Sequence, residues 1–206
     1  MEWFKKRREG RGSGSDLSNN RLYMQHINSS LVNGSLIRIC VCPKHVDVNE
    51  WLAVNIFDFF TLLDLFYGTT QDCPVMCAGP TEYLWVDSSK KSTKIPARQY
   101  IDYVLTFVQN QLDDENVFPT NSGADFPRDF HARAREIFRQ LFRVFAHIFH
   151  SHYDAIVNVS AQGHLNTLFT HFICFGKEFG LFDKRELEPC SDFISFLEQE
   201  GTITNK

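Results

Sequence analysis

The sequence predicts a mainly α-helical protein: a compact, single-domain helical bundle with one small β-hairpin. Apolar residues recur at three- and four-residue spacing in several stretches, which is the pattern of helices that bury one face. Capping residues or prolines stand where these stretches begin, and a glycine follows the first of them. The 206 residues fit one domain and can bury a sizeable core. We therefore expect a tail over residues 1–20 and one folded domain over residues 21–206.

Charge and composition argue against several classes of protein. The net charge of −4 gives no global indication of nucleic-acid binding, and no apolar run has the length of a membrane span. The basic run Lys5–Arg8 has no apolar core behind it, so a secretory signal is not predicted. We expect a cytoplasmic protein, with the nucleus as a further compartment, whose six cysteines are thiols or metal ligands.

The first part of the chain shows little helical periodicity. Residues 1–20 are basic and then rich in glycine and serine, which is typical of a solvated, disordered end. A nuclear signal or a weak membrane contact are the alternatives for the basic cluster. The stretch from Leu36 to Cys42 is rich in β-branched residues and ends at Pro43, which predicts a short strand or an extended segment on the core.

The first long helix is predicted over residues 47–67. Asp47 and Glu50 have the spacing of a capping box, and Gly68 follows the last turn. Glu50, Asp58 and Asp64 form a narrow acidic stripe, which is either a solvated face or a binding face. The apolar residues leave little other surface for solvent. They are Trp51, Leu52, Ile56, Phe59, Phe60, Leu62, Leu63 and Phe66.

Between the first and second helices the sequence predicts a loop and the hairpin. Cys73 and Cys77 have C-x3-C spacing, a pattern that can chelate a metal ion. Tyr83–Val86 and a partner strand near Lys94–Ile95 flank a turn rich in lysine and serine. This arrangement predicts the hairpin.

Three further helices complete the predicted bundle. Pro96 starts the second helix, over residues 97–112. The third runs from near Pro127 to about residue 152, and its apolar stripe includes Phe138 and Phe142. The fourth covers residues 165–179, and two short segments then close the domain.

The end of the third helix carries the most distinctive residues of the chain, three histidines within six positions. His147 and His150 share a face of an ideal helix, whereas His147 and His152 lie about 140° apart. Periodicity alone therefore favours the first pair as metal ligands, and His152 can join His147 only if the helix distorts or ends between them. Together with the C-x3-C loop, these imidazoles indicate a zinc site.

Arginines follow one another at four-residue spacing on the same helix, at Arg135, Arg139 and Arg143. Guanidinium groups this close repel each other unless an anion or an acidic partner faces them, and arginine binds phosphate through two parallel hydrogen bonds. The stripe is therefore either a phosphopeptide-binding surface or a solvated face that acidic residues of the same chain balance.

No sequence motif indicates catalysis. The chain lacks H-E-x-x-H, a glycine-rich phosphate loop and a nucleophile elbow. A non-enzymatic binding module is the favoured interpretation, and a zinc hydrolase is the alternative that the histidines leave open.

Six segments of the chain together resemble the Mob (Mps-one-binder) kinase-activator family. They are Asn49–Asn55, Cys73–Met76, Glu82–Trp85, Asp113–Pro119, Leu141–His147 and His164–Thr167. They occur in the family's order and spacing, and the resemblance covers about residues 22–200. It implies a compact Mob-like helical domain with a small hairpin and one structural zinc ion (Zn2+), in a protein that is not an enzyme.

The resemblance also implies ligands for the metal. Cys73, His147 and His152 match the family's zinc ligands, while the family's first cysteine has no counterpart because the loop after Gly68 is shorter. Cys77 can supply the fourth thiolate under this interpretation. Otherwise the zinc has three protein ligands and water, or is lost.

A kinase-binding face follows from the same resemblance. Glu50, Trp51, Val54 and Asp58 match positions that face the N-terminal regulatory segment of NDR/LATS-type protein kinases. Val46 stands in place of a further acidic residue of the family. The resemblance thus implies a kinase coactivator in Hippo-like signalling. A non-activating relative that serves as a scaffold in striatin-type kinase–phosphatase assemblies is the alternative.

A second surface implied by the resemblance binds phosphorylated peptides of upstream Ste20-like kinases. Arg139 and Arg143 match basic positions of this pocket, and Gln140 stands where the family has a third base. We therefore expect a pocket weaker than that of close relatives.

Overall fold

The computed structural model describes residues 22–68, 73–121 and 123–204. The predicted tail over residues 1–20 lies outside the described residues. The helices are α1 (Leu22–Gln25), α2 (Ile37–Cys40), α3 (Val48–Tyr67), α4 (Ala97–Leu112), α5 (Phe130–His147), α6 (Tyr153–Asn158), α7 (Gln162–Glu178) and α8 (Ser191–Gln199). A π-helical turn (Ile148–His152) joins α5 to α6, and a 3-10 turn (Glu188–Cys190) precedes α8. The predicted fold class, mainly helical, is confirmed.

None of the described helices has both the length and the apolar character needed to cross a membrane.

Helix α3 begins and ends where the sequence predicts. The Asp47 carboxylate accepts hydrogen bonds from the backbone N–H groups of Asn49 (2.8 Å) and Glu50 (3.2 Å). Two of the donors that a helix start leaves free are satisfied in this way. Helices α4, α5 and α7 pack against α3, so α3 lies at the centre of the bundle.

The prediction that little of α3 reaches solvent is wrong. Leu62, predicted in the core, is 44% exposed, and Val54, Phe57 and Leu65 are 56%, 54% and 71% exposed. At 100° per residue, positions 54, 57 and 65 lie on the same third of the helix surface as Glu50. The number of apolar residues therefore did not indicate how much of the helix its neighbours cover.

Aromatic rings from three helices form the centre of the core. The rings of Phe138 on α5 and Phe172 on α7 stack with centroids 4.6 Å apart, and Phe59 on α3 meets both rings edge-on. Phe182 covers the other side of this cluster, at 5.4 Å from Phe172. A side chain at Gly176 would place its Cβ 2.1 Å from the Phe182 ring, so α7 needs glycine at this point.

The described residues form two small antiparallel hairpins, whereas the sequence predicted one. Trp85–Val86 (β3) pairs with Ser92–Thr93 (β4), so the predicted hairpin is present and its second strand lies two residues earlier than expected. Cys77–Ala78 (β1) pairs with Thr81–Glu82 (β2), and this hairpin was not predicted. Its tight turn contains Gly79 at φ 58°, a conformation that glycine adopts without steric cost.

The segment before α3 is helical where a strand or an extended segment was predicted. Residues Ile37–Cys40 form the short helix α2, although β-branched residues favour a strand. Packing overrides that preference: Cys40 is fully buried, α2 contacts α7, and the indole N–H of Trp51 donates to the Cys40 carbonyl at 3.2 Å.

The third predicted helix divides into three parts. Helix α5 ends at His147, the π-helical turn covers Ile148–His152, and α6 continues to Asn158. The chain is thus helical beyond residue 152, where this helix was predicted to end. A π-helical turn holds more residues than an α-helical turn and changes the direction of the side chains that follow it.

Candidate metal centre and binding surfaces

Three of the predicted metal ligands lie together. Cys73, His147 and His152 each offer one possible ligand atom, and these atoms all lie within 4.8 Å of one another. Residues five apart on a regular α-helix lie about 140° apart. The π-helical turn reduces this angle, and the Nε2 atoms of His147 and His152 lie only 3.0 Å apart.

The predicted fourth ligand, Cys77, does not join this group within the described residues. It lies in strand β1, and its backbone carbonyl oxygen is 2.8 Å from Nδ1 of His147. A carbonyl oxygen can only accept, so this contact, shorter than the 3.4 Å between Nδ1 and the Cys77 backbone N–H, favours a proton on Nδ1 and leaves the Nε2 lone pair for the cluster. Cys77 therefore orients a candidate ligand through its backbone, because pairing in the unexpected first hairpin fixes that carbonyl against the end of α5.

The environment of the two histidines suits a metal ion. Both are buried; burial lowers the pKa of His147 to about 4 and also lowers the pKa of His152. Both rings are therefore neutral at neutral pH, as metal binding requires. Two nitrogen ligands of a tetrahedral zinc ion, each about 2.0–2.1 Å from the metal, lie about 3.3 Å apart. The observed nitrogen separation of 3.0 Å is close to this value.

Cys73 brings a second, distant chain segment to the cluster. Its Sγ is 3.4 Å from the carbonyl oxygen of Val75, and its own carbonyl accepts a hydrogen bond from the backbone N–H of Ala97 at 3.0 Å. The cysteine is thus held at the start of α4. One thiol and two imidazoles form a donor set that zinc prefers, and the residues present fit that ion.

The acidic stripe of α3 is part of a larger exposed face. Glu50, Asp58 and Asp64 are exposed, and they alternate with the exposed apolar side chains Val54 and Phe57. We call this set, together with Leu65, the α3 face. Trp51, also implied in kinase binding, is half-buried and joins α3 to α2 through its indole N–H.

The arginines of α5 have partners in the same chain. Arg135 forms an ion pair with Asp183 at 2.8 Å. Arg139 contacts Glu136, and its Nε is 3.9 Å from a carboxylate oxygen of Glu186. Arginine and acid together line a cavity of about 280 Å³ at this place. In the unbound protein, acidic residues of the same chain therefore balance the charges of Arg135 and Arg139, which is the second of the two alternatives for the arginine stripe.

Arg143 has a different environment. Its Nη1 donates to the hydroxyl of Tyr100 at 2.6 Å, and its guanidinium lies over the ring of Tyr83, 5.3 Å from the centroid, within the range of a cation–π contact. Burial raises the pKa of Tyr83 against the opposing effect of Arg143, so this tyrosine is neutral. Arg143 therefore connects α5 to α4 and to the loop between the hairpins.

Sequence reasoning missed several residues of these sites. Glu136 stands three positions before Arg139, a spacing that favours an ion pair on a helix, and that signal was available. Phe57 and Leu65 share the face of Glu50 by helical periodicity. The contact between Tyr100 and Arg143 joins two helices, and nothing in the local sequence indicates it.

Fold and sites together define a small helical domain with two candidate binding surfaces and a candidate metal centre. The chain belongs to the Mob1/phocein family, whose model matches residues 28–190. The resemblance of its six sequence segments to the Mob family is thereby confirmed.

Similar curated proteins come from distant eukaryotes. The chain is 48% identical over 186 residues to the CBK1 kinase activator protein MOB2 of Candida albicans, which covers 87% of this chain and 59% of that protein. It is 46% identical over 182 residues to the MOB kinase activator-like 1 homolog A of Dictyostelium discoideum, covering 84% of this chain and 85% of that protein. It is 43% identical over 191 residues to the maintenance of ploidy protein mob2 of Schizosaccharomyces pombe, covering 88% and 78%. The chain thus spans less than two thirds of the Candida protein.

Proposed function

We propose that this protein is a non-enzymatic adaptor that binds the N-terminal regulatory segment of an NDR/LATS-type protein kinase and activates the kinase. The observation that carries the proposal is the α3 face, where acidic and large apolar side chains lie exposed side by side. Relatives in Candida albicans and Dictyostelium discoideum are named kinase activators, which supports the same function.

The α3 face suits one kind of partner, an amphipathic helix with basic residues. Such a helix would cover Val54, Phe57 and Leu65, and the removal of this apolar surface from water would stabilise the complex. Its lysines or arginines would meet Glu50 and Asp58. Charge pairs at the edge of an interface mainly increase the association rate and make it sensitive to salt.

The decisive experiment compares two double variants that change the net charge equally. Glu50→Lys with Asp58→Lys should reduce the association rate for a kinase N-terminal segment by about tenfold or more at low salt, because the charges that attract it are reversed. Glu188→Lys with Glu200→Lys reverses two exposed charges outside the α3 face and should leave the rate much closer to that of the wild type. Equal rates for the two double variants would exclude the α3 face as the site.

A second assay separates the adaptor from the scaffold alternative. Kinase activity should rise when wild-type protein is added, and Val54→Asp should abolish the increase because it places a charge in the apolar part of the α3 face. If a striatin-type assembly is captured instead and no kinase is activated, the scaffold alternative replaces the proposal.

We further propose that the surface around Arg139 and Arg143 accepts phosphorylated peptides of upstream Ste20-like kinases. The Nε atom of Arg139 is buried and lacks a hydrogen-bond partner among the described residues, and it borders the cavity of about 280 Å³. A phosphate oxygen is an acceptor that can satisfy this donor.

Cys73, His147 and His152 are proposed to hold one structural zinc ion. The donor set and the spacing of the two Nε2 atoms support this proposal. A bound zinc ion would stabilise the fold by joining two chain segments that are far apart in sequence.

A further inference from the structure

One network of side chains connects the two arginines of the proposed phosphopeptide surface. Arg143 donates to the Tyr100 hydroxyl at 2.6 Å, and that hydroxyl is 3.4 Å from the side-chain oxygen of Gln140. The Gln140 amide donates to the Glu136 carboxylate at 2.9 Å. The other oxygen of this carboxylate accepts from Arg139.

Glu136 is the anion in this network. Burial alone would raise the pKa of its carboxyl group, but the hydrogen bonds from Arg139 and Gln140 outweigh burial and leave the pKa below its ordinary value. The group is therefore charged at neutral pH. Glu186 approaches Arg139 from the turn after α7, with 3.9 Å between Nε and the carboxylate oxygen. Arg139 thus lies between two carboxylates of its own chain.

We propose that Glu136 is an internal ligand of Arg139 that closes the phosphopeptide surface in the unbound protein, with Gln140 holding Glu136 in place. This inference rests on the proposed phosphopeptide binding. A carboxylate and a phosphate both accept two parallel hydrogen bonds from one guanidinium, so the two anions compete for the same donors. A phosphopeptide must displace Glu136, and its apparent affinity falls by the fraction of molecules in which the surface is open.

Gln140 has a specific part in this competition. A basic side chain at this position would add a donor for phosphate, as the family pattern implies. The neutral amide instead donates to Glu136 and accepts from Tyr100, so it orients the competing carboxylate. Glu136 and Gln140 are four residues apart on α5 and share one face of the helix.

The test measures binding of a phosphothreonine peptide by fluorescence anisotropy, with its unphosphorylated form as the reference ligand. Glu136→Gln keeps the size of the side chain and removes the charge, so the phosphorylated peptide should bind at least tenfold more tightly than it binds the wild type. Glu188→Gln removes an exposed charge two residues after Glu186 and should change the affinity less than twofold. Unchanged or weaker binding by Glu136→Gln overturns the inference.

Two further variants test whether the gain in affinity depends on Arg139 and the carboxylates beside it. Glu186→Gln removes the second carboxylate, at a side chain outside the network, and should tighten binding by a smaller factor. Arg139→Ala added to Glu136→Gln should remove the gain completely. A gain that survives the loss of Arg139 contradicts the inference.

The same samples distinguish this inference from the kinase-binding proposal. Binding of the kinase segment depends on the α3 face and should be equal in wild type and Glu136→Gln. If no variant prefers the phosphorylated peptide while the kinase segment still binds, both the phosphopeptide proposal and this inference are wrong and the kinase adaptor remains.

Discussion

At the scale of single residues, the candidate metal site depends on the effect of burial on the pKa of a histidine ring. His147 is fully buried at the end of α5, and a charged ring there would lose its hydration without gaining an acidic partner. Burial therefore lowers its pKa to about 4, and the neighbouring histidines act in the same direction. A group in this state is a good ligand for a metal ion and a source of acid sensitivity in the metal-free protein.

The first prediction is that chelated protein loses stability as the pH falls from about 6.5 to about 4. The unfolded chain binds a proton at its ordinary histidine pKa of about 6.5, whereas folded His147 does so only near pH 4. The contribution of neutral His147 to the free energy of unfolding is fully present above pH 6.5. Up to about 3 kcal/mol of it is lost by pH 4. Denaturant unfolding at a series of pH values measures it.

The control for this prediction uses two histidine variants. His147→Asn retains a side-chain N–H group near the Cys77 carbonyl and should flatten the dependence on pH. His164→Asn changes an exposed histidine and should leave the dependence as in the wild type. Equal slopes in all three proteins would show that another group causes the acid sensitivity.

At the scale of secondary-structure elements, periodicity predicted the long helices because each has a repeating apolar side. Helix α4 begins directly after Pro96, as predicted, and α3 begins at the residue after Asp47. Periodicity could not predict which side of α3 is covered, since that depends on where α4, α5 and α7 pack. The hairpin of β1 and β2 was also missed, because strands of two residues carry no alternation.

In the candidate metal site too, local sequence predicted some features and missed one that depends on tertiary packing. The spacing of His147 and His152 predicted that they can meet only if the helix distorts or ends between them, and the π-helical turn is such a distortion. The identity of Cys77 as a backbone partner of His147 depends on the hairpin that was not predicted. Cysteine spacing suggested a role for the thiolate of Cys77, whereas the contact that Cys77 makes with the site is between its carbonyl oxygen and Nδ1 of His147.

A prediction at this scale concerns the close packing of α7. Gly176→Ala should destabilise the protein by about 1–3 kcal/mol, the usual cost of forcing extra atoms into a packed core. Its Cβ would lie 2.1 Å from Phe182, whose ring is held by Phe138 and Phe142. Gly68→Ala, at the end of α3 with no atom within 4 Å of the added Cβ, should change stability by less than about 0.5 kcal/mol. Urea unfolding measures both variants, and equal unfolding midpoints for the two would contradict the packing argument.

At the scale of the whole molecule, the candidate metal centre joins parts of the chain that are far apart in sequence. Cys73 precedes the hairpins and is hydrogen-bonded to the start of α4, whereas His147 and His152 end α5 and the π-helical turn. A single ion held by all three would close long loops of the chain, and it would bind only when the fold has brought the ligands together. The binding free energy of the metal then adds to the stability of the fold.

The final prediction is that purified protein carries about one equivalent of zinc and that chelation lowers its melting temperature. A ligand present at a thousandfold excess over its dissociation constant stabilises the folded state by about 4 kcal/mol. For a domain of this size, about 2–4 °C per kcal/mol corresponds to a loss of roughly 8–16 °C. Differential scanning calorimetry with metal analysis measures both quantities on the same sample.

Two cysteine variants decide which atoms hold the zinc. Cys73→Ser should lose the metal and melt as the chelated wild type does, because it removes the thiolate of the cluster. Cys77→Ser should keep both the metal and the melting temperature, since its part in the site is the backbone carbonyl that accepts from His147. If Cys77→Ser loses zinc as fully as Cys73→Ser, its thiolate is a ligand and the backbone role assigned to Cys77 is wrong. If the wild type binds no zinc and melts at the temperature of the chelated sample, the three residues are only packed side chains.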